Sequence, residues 1–454
     1  MLSRAQDLGS TRMLIDLPAR ALRLPLLALL LVLAGRASAC PDLTPYYPGL
    51  EPDWSAVQQR LSGLMSQCLE NSEYFALLGA AQLNAGAVAD ALESLERALL
   101  LDPDNGAAQI DFAQALYLEG ELFSALELNA RLLQRDDLPA NLQPALQQRQ
   151  TDWQAQTRQH SVQLDLLAGY DTNLNGAPDP SQITLTLSGE SVILTLDPQF
   201  QPVSGTYVNA RLAGRYRQLA PRHQHNWLLD VRGRVSEDAS SDLLQADARY
   251  AFVRPDRNHA WQFNGGISHL LFGGKPLFSA VEASTRYQPR SAARCRPFLA
   301  GAAQQQLYHD QAFLNALESK ASAGLNCPWE GLNGRHLISV EAGLLNSHAL
   351  KNGRPGGDRE GWQATLDWQY QMSHGEMRTL ISHTELDDRA GYSPLLNDGA
   401  ARWIDRSYVL VQYRRPLSPK AALLLNYYYQ DQRSNLQLFQ SVDSTIEFGL
   451  SFGF

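Results

Sequence analysis

From residue 160 to the end of the chain, apolar and polar residues alternate with a period of two, interrupted by clusters of Gly, Pro and polar residues, the pattern of successive β-strands. Val208, Ala210, Leu212, Gly214 and Tyr216 alternate with Asn209, Arg211, Ala213, Arg215 and Arg217. Trp227, Leu229, Val231 and Val235 alternate with Asp230, Arg232 and Arg234 in the next segment, and Leu244, Ala246, Ala248, Tyr250 and Phe252 with Gln245, Asp247 and Arg249. Trp362 to Tyr370 repeats the pattern against Gln363 to Gln371. Fourteen strands are predicted, at 160–171, 205–218, 224–237, 241–253, 258–271, 276–288, 294–307, 314–327, 335–347, 360–372, 376–387, 402–414, 419–431 and 442–454.

Alternation alone does not say whether water or lipid touches the apolar face. Segments of about ten to thirteen residues suit tilted strands crossing a bilayer and exceed the usual globular strand. Connections also alternate in length: 254–258, 289–294, 373–376 and 417–420 are short, whereas 172–204, 347–359 and 388–402 are long. That asymmetry is the habit of outer-membrane barrels, short on the periplasmic side and long outside. The last segment carries Ile446, Phe448, Leu450, Phe452 and Phe454 at alternate positions, resembling the terminal-strand signal read by the barrel assembly machinery. The predicted fold is therefore a short helical domain followed by an antiparallel transmembrane β-barrel. Its polar inner face would hold Arg211, Arg215, Arg217, Arg232, Arg234 and Arg249 with Asp230 and Asp247, either as a mutually neutralising plug or as a substrate path.

Before residue 160 the spacing is helical. Phe75, Leu78, Gly79, Ala91, Leu95, Ala98 and Pro103 stand at the positions of a 34-residue tetratricopeptide unit over 72–105, and a shift of 34 aligns Gly86 with Gly120 and Ala91 with Ala125, a second unit over 106–139. Stretches 54–69 and 142–157 would cap the array. The array can be read as a concave peptide-docking surface or as a spacer. Upstream, Arg20 and Arg23 precede an apolar run from Leu24 to Ala34 and the small-residue site Ala37-Ser38-Ala39, a secretory signal, with Met13 as a possible alternative start. The run is too short to span a bilayer as a helix. The expected domains are 1–39 signal peptide, 40–158 periplasmic helical domain and 159–454 outer-membrane barrel.

Composition adds the chemistry. With 454 residues, 19% charged, 44% hydrophobic and formal net charge −9, the chain should fold and presents no global basic field, so nucleic acid is not an expected partner. The four cysteines of an exported chain, without C-x-x-C or Cys/His spacing, suggest two disulfides, Cys40–Cys68 and Cys295–Cys327, the second because the strand register puts both residues at one rim. Cys40, directly after the cleavage site, also permits lipid attachment. Asp171-Thr172-Asn173-Leu174-Asn175-Gly176 matches the first half of a calcium loop with Asp179 following, but Gln182 takes the place of the bidentate carboxylate, and no cofactor is expected. His160, His223, His225, His309, His336, His374 and His383 form no spaced metal set, and adjacent Ser382 and His383 point to opposite faces of a strand, so an enzyme is not expected.

The order of parts, with a barrel opening at Gly169-Tyr170-Asp171-Thr172-Asn173-Leu174-Asn175, resembles the surface lipoprotein assembly modifier family, whose barrel begins with a similar Tyr-Asp-x-Asn-x-Asn segment. Tyr170, Asp171, Asn173 and Asn175 carry the likeness. It implies a fourteen-stranded barrel that delivers lipoproteins or related secreted proteins from periplasm to cell surface. The implied partners are that client, the barrel assembly machinery and outer-membrane lipid, around a monomeric barrel. The rival reading is a polysaccharide-export or diffusion porin with a periplasmic helical-repeat domain.

Overall fold

A computed structural model describes residues 40–47, 53–331 and 333–454, so the signal peptide expected at 1–39 lies outside the described residues. The chain divides into two compact units at Trp153/Gln154, inside a helix that ends just before the first strand.

The first unit has six α-helices among the described residues: α1 Trp54–Ser62, α2 Ser72–Asn84, α3 Val88–Leu101, α4 Gly106–Glu119, α5 Leu122–Leu132 and α6 Gln143–Gln156. Asp53, Asn71 and Asn105 cap α1, α2 and α4 by accepting a backbone N–H three residues on. Gly79 lets α2 and α3 close up, because a Cβ there would stand 2.5 Å from Leu95 Cγ. The helices pack on fully buried Tyr74, Leu78, Ala81, Ala91, Leu95 and Ala98, and a second cluster joins Ala113, Ala125, Leu132 and Trp153. A Cys40–Cys68 disulfide ties the chain ahead of α1 to the segment ahead of α2, so the Cys40 sulfur is not free for a lipid thioether. No helix of the described residues is long and apolar enough to cross a membrane.

The second unit is a closed, wholly antiparallel barrel of fourteen strands among the described residues, each paired with its neighbour in sequence and closed by the last strand on the first. The strands are β1 Arg158–Asp171, β4 Gly205–Ala220, β5 His223–Ser236, β6 Leu243–Pro255, β7 His259–Phe272, β8 Lys275–Pro289, β9 Arg296–Tyr308, β10 Ala316–Gly331, β11 Gly334–Ala349, β12 Arg359–Met372, β13 Gly375–Gly391, β14 Ala401–Ser418, β15 Ala421–Ser434 and β16 Ser441–Gly453.

Two features depart from the sequence expectation. The long connection 172–204 contains a separate hairpin, β2 Gln182–Leu187 and β3 Glu190–Thr195, turned at Ser188-Gly189 with φ of 53° and 83°. Not every outer connection is long: β7 and β8 join through Gly273-Gly274, both at positive φ, which makes a two-residue turn.

The outward apolar row has no second protein layer over it. Leu344, Leu229 and Ile267 are 71%, 63% and 59% exposed, an arrangement that only an apolar surrounding medium satisfies. Short-turn ends of the strands add an aromatic girdle that the sequence reading did not single out. Trp227 packs on Tyr216 at 5.3 Å and on Tyr250 at 5.4 Å, and Trp261 on Tyr287 at 4.8 Å. His336 stacks on Tyr370 at 4.3 Å and on Trp329 at 5.1 Å. Amphipathic rings at one level are what a lipid headgroup boundary selects.

Candidate functional site

The lumen is built by the inward rows of the strands. On β4 this row is Tyr207, Asn209, Arg211, Ala213, Arg215 and Arg217, and on β5 it continues through Asp230, Arg232 and Arg234. The structure brings the predicted lumen charges to this inner wall but treats them differently. Arg211 binds Asp230 at 2.5 Å and lies 3.6 Å from Asp165. Arg234 is drawn away toward the outer end, where it donates to Asp171 Oδ2 at 3.0 Å and to the Leu174 and Ser241 carbonyls, and lies over the Tyr207 ring. Arg217 stands near the inner rim and donates to Gln224. Arg215, Arg232, Asp247 and Arg249 line a cavity of about 1160 Å³ with Arg211 and Asp230.

That cavity reaches the inner rim, where Arg335, Glu376 and Arg414 line it. The outer end is packed. Asp388, on β13, is buried and held by Arg402 at 3.0 Å and Arg359 at 3.1 Å. Arg402 is itself sandwiched over the Tyr392 and Phe439 rings at 4.7 and 4.3 Å. From the connection between β11 and β12, buried Arg354 turns in to donate to Ser347 Oγ at 3.0 Å. A buried guanidinium needs such partners, since an uncompensated charge there costs several kcal/mol, of order 3–5 when one partner is removed.

The Asp-x-Asn-x-Asn segment is a structural staple at the same end. Asp171 Oδ1 accepts from Asn173 N, Asn173 exchanges hydrogen bonds with both backbone groups of Ala177, and Asn175 does so with Gln201 O and Val203 N. The oxygens that a calcium loop would turn toward a cation are thus engaged by the chain itself, folding the 172–204 connection back on its base. Tyr170 faces outward and is 45% exposed. The hairpin docks on two further outer connections: Thr186 N donates to Leu395 O at 2.9 Å and Thr184 N to Gln437 Oε1 at 2.7 Å.

Cys295 and Cys327 are disulfide-bonded at the short-turn rim, where the strand register expected them. Ile446, Phe448, Leu450 and Phe454 all point outward and are exposed, with Phe452 half-buried. Ser382 faces the lumen, bonded to Gln363, whereas His383 faces outward. There the structure assembles what the spacing of histidines did not reveal: ligand atoms of His383, Glu385 and Asp405 lie within 4.8 Å of one another. Asp405 comes from the neighbouring strand, so no linear motif marks the group. Trp362 Nε1 and Ser407 Oγ already engage Glu385 and His383. In the helical unit, burial pushes the Asp111 carboxyl up to about 6 against the opposing pull of the Arg149 guanidinium.

No protein-family model matches the chain, and no curated protein matches it in sequence. Among solved structures, the barrel is similar to an anion-selective porin from Comamonas acidovorans, at 10% identity over 65% of this chain and 99% of that one, with a TM-score of 0.35. A bacterial polysaccharide outer membrane secretin aligns at 7% identity over 64% and 98%, also with a TM-score of 0.35. The type III secretion translocator chaperone SycD of Yersinia enterocolitica aligns at 19% identity over 23% of this chain and 73% of its own, with a TM-score of 0.21.

Proposed function

We propose that this protein is an outer-membrane translocator that delivers a lipoprotein or related secreted protein from the periplasm to the cell surface. The helical unit, read as tetratricopeptide-like and periplasmic, receives the client, and the barrel passes or displays it. The observation that carries this reading is the uneven lumen: a wide cavity lined by polar and charged side chains in the inner half and buried ion pairs around Asp388 at the outer end. An always-open diffusion pore has no use for a packed outer end, whereas a gated path for a large client does. The periplasm supplies no nucleotide, so the driving force would come from client folding or binding outside.

The test is protease shaving of intact cells that carry a candidate client, with and without this protein. Exposure of the client that depends on the barrel supports the reading. Unchanged client exposure, together with barrel-dependent release of a surface polysaccharide, would replace it with the polymer conduit.

A further inference from the structure

Building on the translocator reading, we propose that the inner half of the lumen is a binding site for an acidic, extended segment of polypeptide, held by Arg215, Arg232 and Arg249. The three guanidiniums stand on adjacent strands β4, β5 and β6 and face the same cavity of about 1160 Å³. Neighbouring strands lie about 4.8 Å apart, so the trio covers a stretch of wall on the order of 10 Å wide.

Among the described residues, none of the three donates a hydrogen bond to a carboxylate. Arg215 makes no hydrogen bond or ion pair among the described residues. Arg232 donates only to the neutral amide of Gln245, at 2.6 and 3.2 Å. Arg249 reaches Asp247 only at 4.0 Å and Glu282 at 3.5 Å, and remains 54% exposed.

The acids of this cavity are spoken for. Asp230 belongs to Arg211, and Asp247 accepts from Gln245 Nε2 at 3.0 Å. Glu447 accepts from Tyr207, Asn209 and Asn426. Across the lumen, Arg378 donates to Asp367 Oδ2 at 2.7 Å and Arg414 to Glu376 Oε1 at 3.5 Å. The surplus positive charge is therefore concentrated on β4–β6, with Arg335 on β11 a further cavity arginine that only approaches Glu330, at 3.6 Å. It stands out in a protein whose formal net charge is −9.

The size and texture of the cavity select the occupant. Its volume exceeds what one oxyanion fills, and it shares Pro328, Leu337 and Gln369 with a second cavity of about 570 Å³. Leu167, Leu228, Leu410 and Leu424 are set among the charges. Aliphatic patches between guanidiniums fit a peptide in which carboxylates alternate with apolar side chains better than a uniformly hydrated sugar polymer.

The test uses the full-length protein in detergent micelles and fluorescence anisotropy of labelled peptides of about twelve residues, alternating Ala with Glu, Gln or Lys. The Glu peptide should bind at least tenfold tighter than the Gln and Lys peptides at low salt, and lose most of that advantage at high salt. The R215Q/R232Q/R249Q variant should lose tenfold or more while retaining the heat-dependent gel migration of a folded barrel. Equal binding of the Glu and Gln peptides, or an unchanged triple variant, overturns the site. If the triple variant does not fold, the R232Q single variant is read in the same way. Displacement of the Glu peptide by a uronate oligosaccharide at tenfold lower concentration overturns the choice of polypeptide. Should client exposure prove independent of the barrel while the Glu peptide still binds through these arginines, the translocator reading falls and the basic wall stands.

Discussion

Glu447 shows how a carboxyl side chain is accommodated inside the barrel seam by neutral hydrogen-bond donors alone. It is 4% exposed and accepts hydrogen bonds of 2.9 Å from Tyr207 Oη, Asn209 Nδ2 and Asn426 Nδ2. The Tyr207 ring reaches it by crossing Gly169, where a Cβ would stand 2.5 Å from Tyr207 Cζ. β1, β4, β15 and β16 are thereby pinned together at the closure of the cylinder. Tyr207→Phe leaves a buried carboxylate short of one donor, a loss of about 1–3 kcal/mol. It should lower the temperature at which the compact gel form of the barrel is lost, and Gly169→Val should lower it further by displacing the ring. A Tyr207→Phe barrel that unfolds at the wild-type temperature would mean the bond contributes nothing. None of this trio was legible in the sequence. Tyr207 and Glu447 are 240 positions apart, and their meeting depends on closure, which no local pattern encodes. Asp171, Asn173 and Asn175 were legible as a motif, but their work as a staple became visible only with their backbone partners in place.

At the scale of elements, the period of two was enough to find the fourteen barrel strands, because each needs a continuous apolar row on the lipid side. The same criterion hid the hairpin. Ile183, Leu185 and Leu187 alternate, as do Val192 and Leu194, around a Ser-Gly turn, but runs of six residues fall below the length that marks a membrane strand. The hairpin matters because its backbone N–H groups are shared with the connections 392–400 and 435–440. Replacing 182–195 by a short Gly-Ser linker should free both connections while leaving barrel pairing intact. Limited digestion with a non-specific protease then cuts 392–400 several-fold faster than in the parent protein, and an unchanged cleavage rate would show that the docking bonds do not order that rim. The aromatic girdle was legible in principle, as rings within a few residues of each short turn. The ion pairs of the lumen were not, since which Arg meets which Asp depends on the stagger between strands.

For the whole molecule, the even strand number returns both ends of the barrel to one rim, and translocation out of the periplasm requires that rim to face the periplasm. The short turns 221–222, 256–258, 373–374 and 419–420 lie at it, as periplasmic turns do in outer-membrane barrels, with the aromatic girdle and the Cys295–Cys327 disulfide close by. The polar cavity with its arginines on β4–β6 opens toward the same rim, and the Asp388 cluster lies at the other. The orientation is checked by inserting an epitope tag after Asp310, in the connection between β9 and β10, or after Ala292, between β8 and β9, both at exposed positions. On intact cells an antibody should reach the tag at 310 and miss the tag at 292 until the outer membrane is permeabilised. The opposite result would turn the barrel over and present the basic wall to the medium, so that a periplasmic client would meet the closed end first and the lumen could serve only uptake.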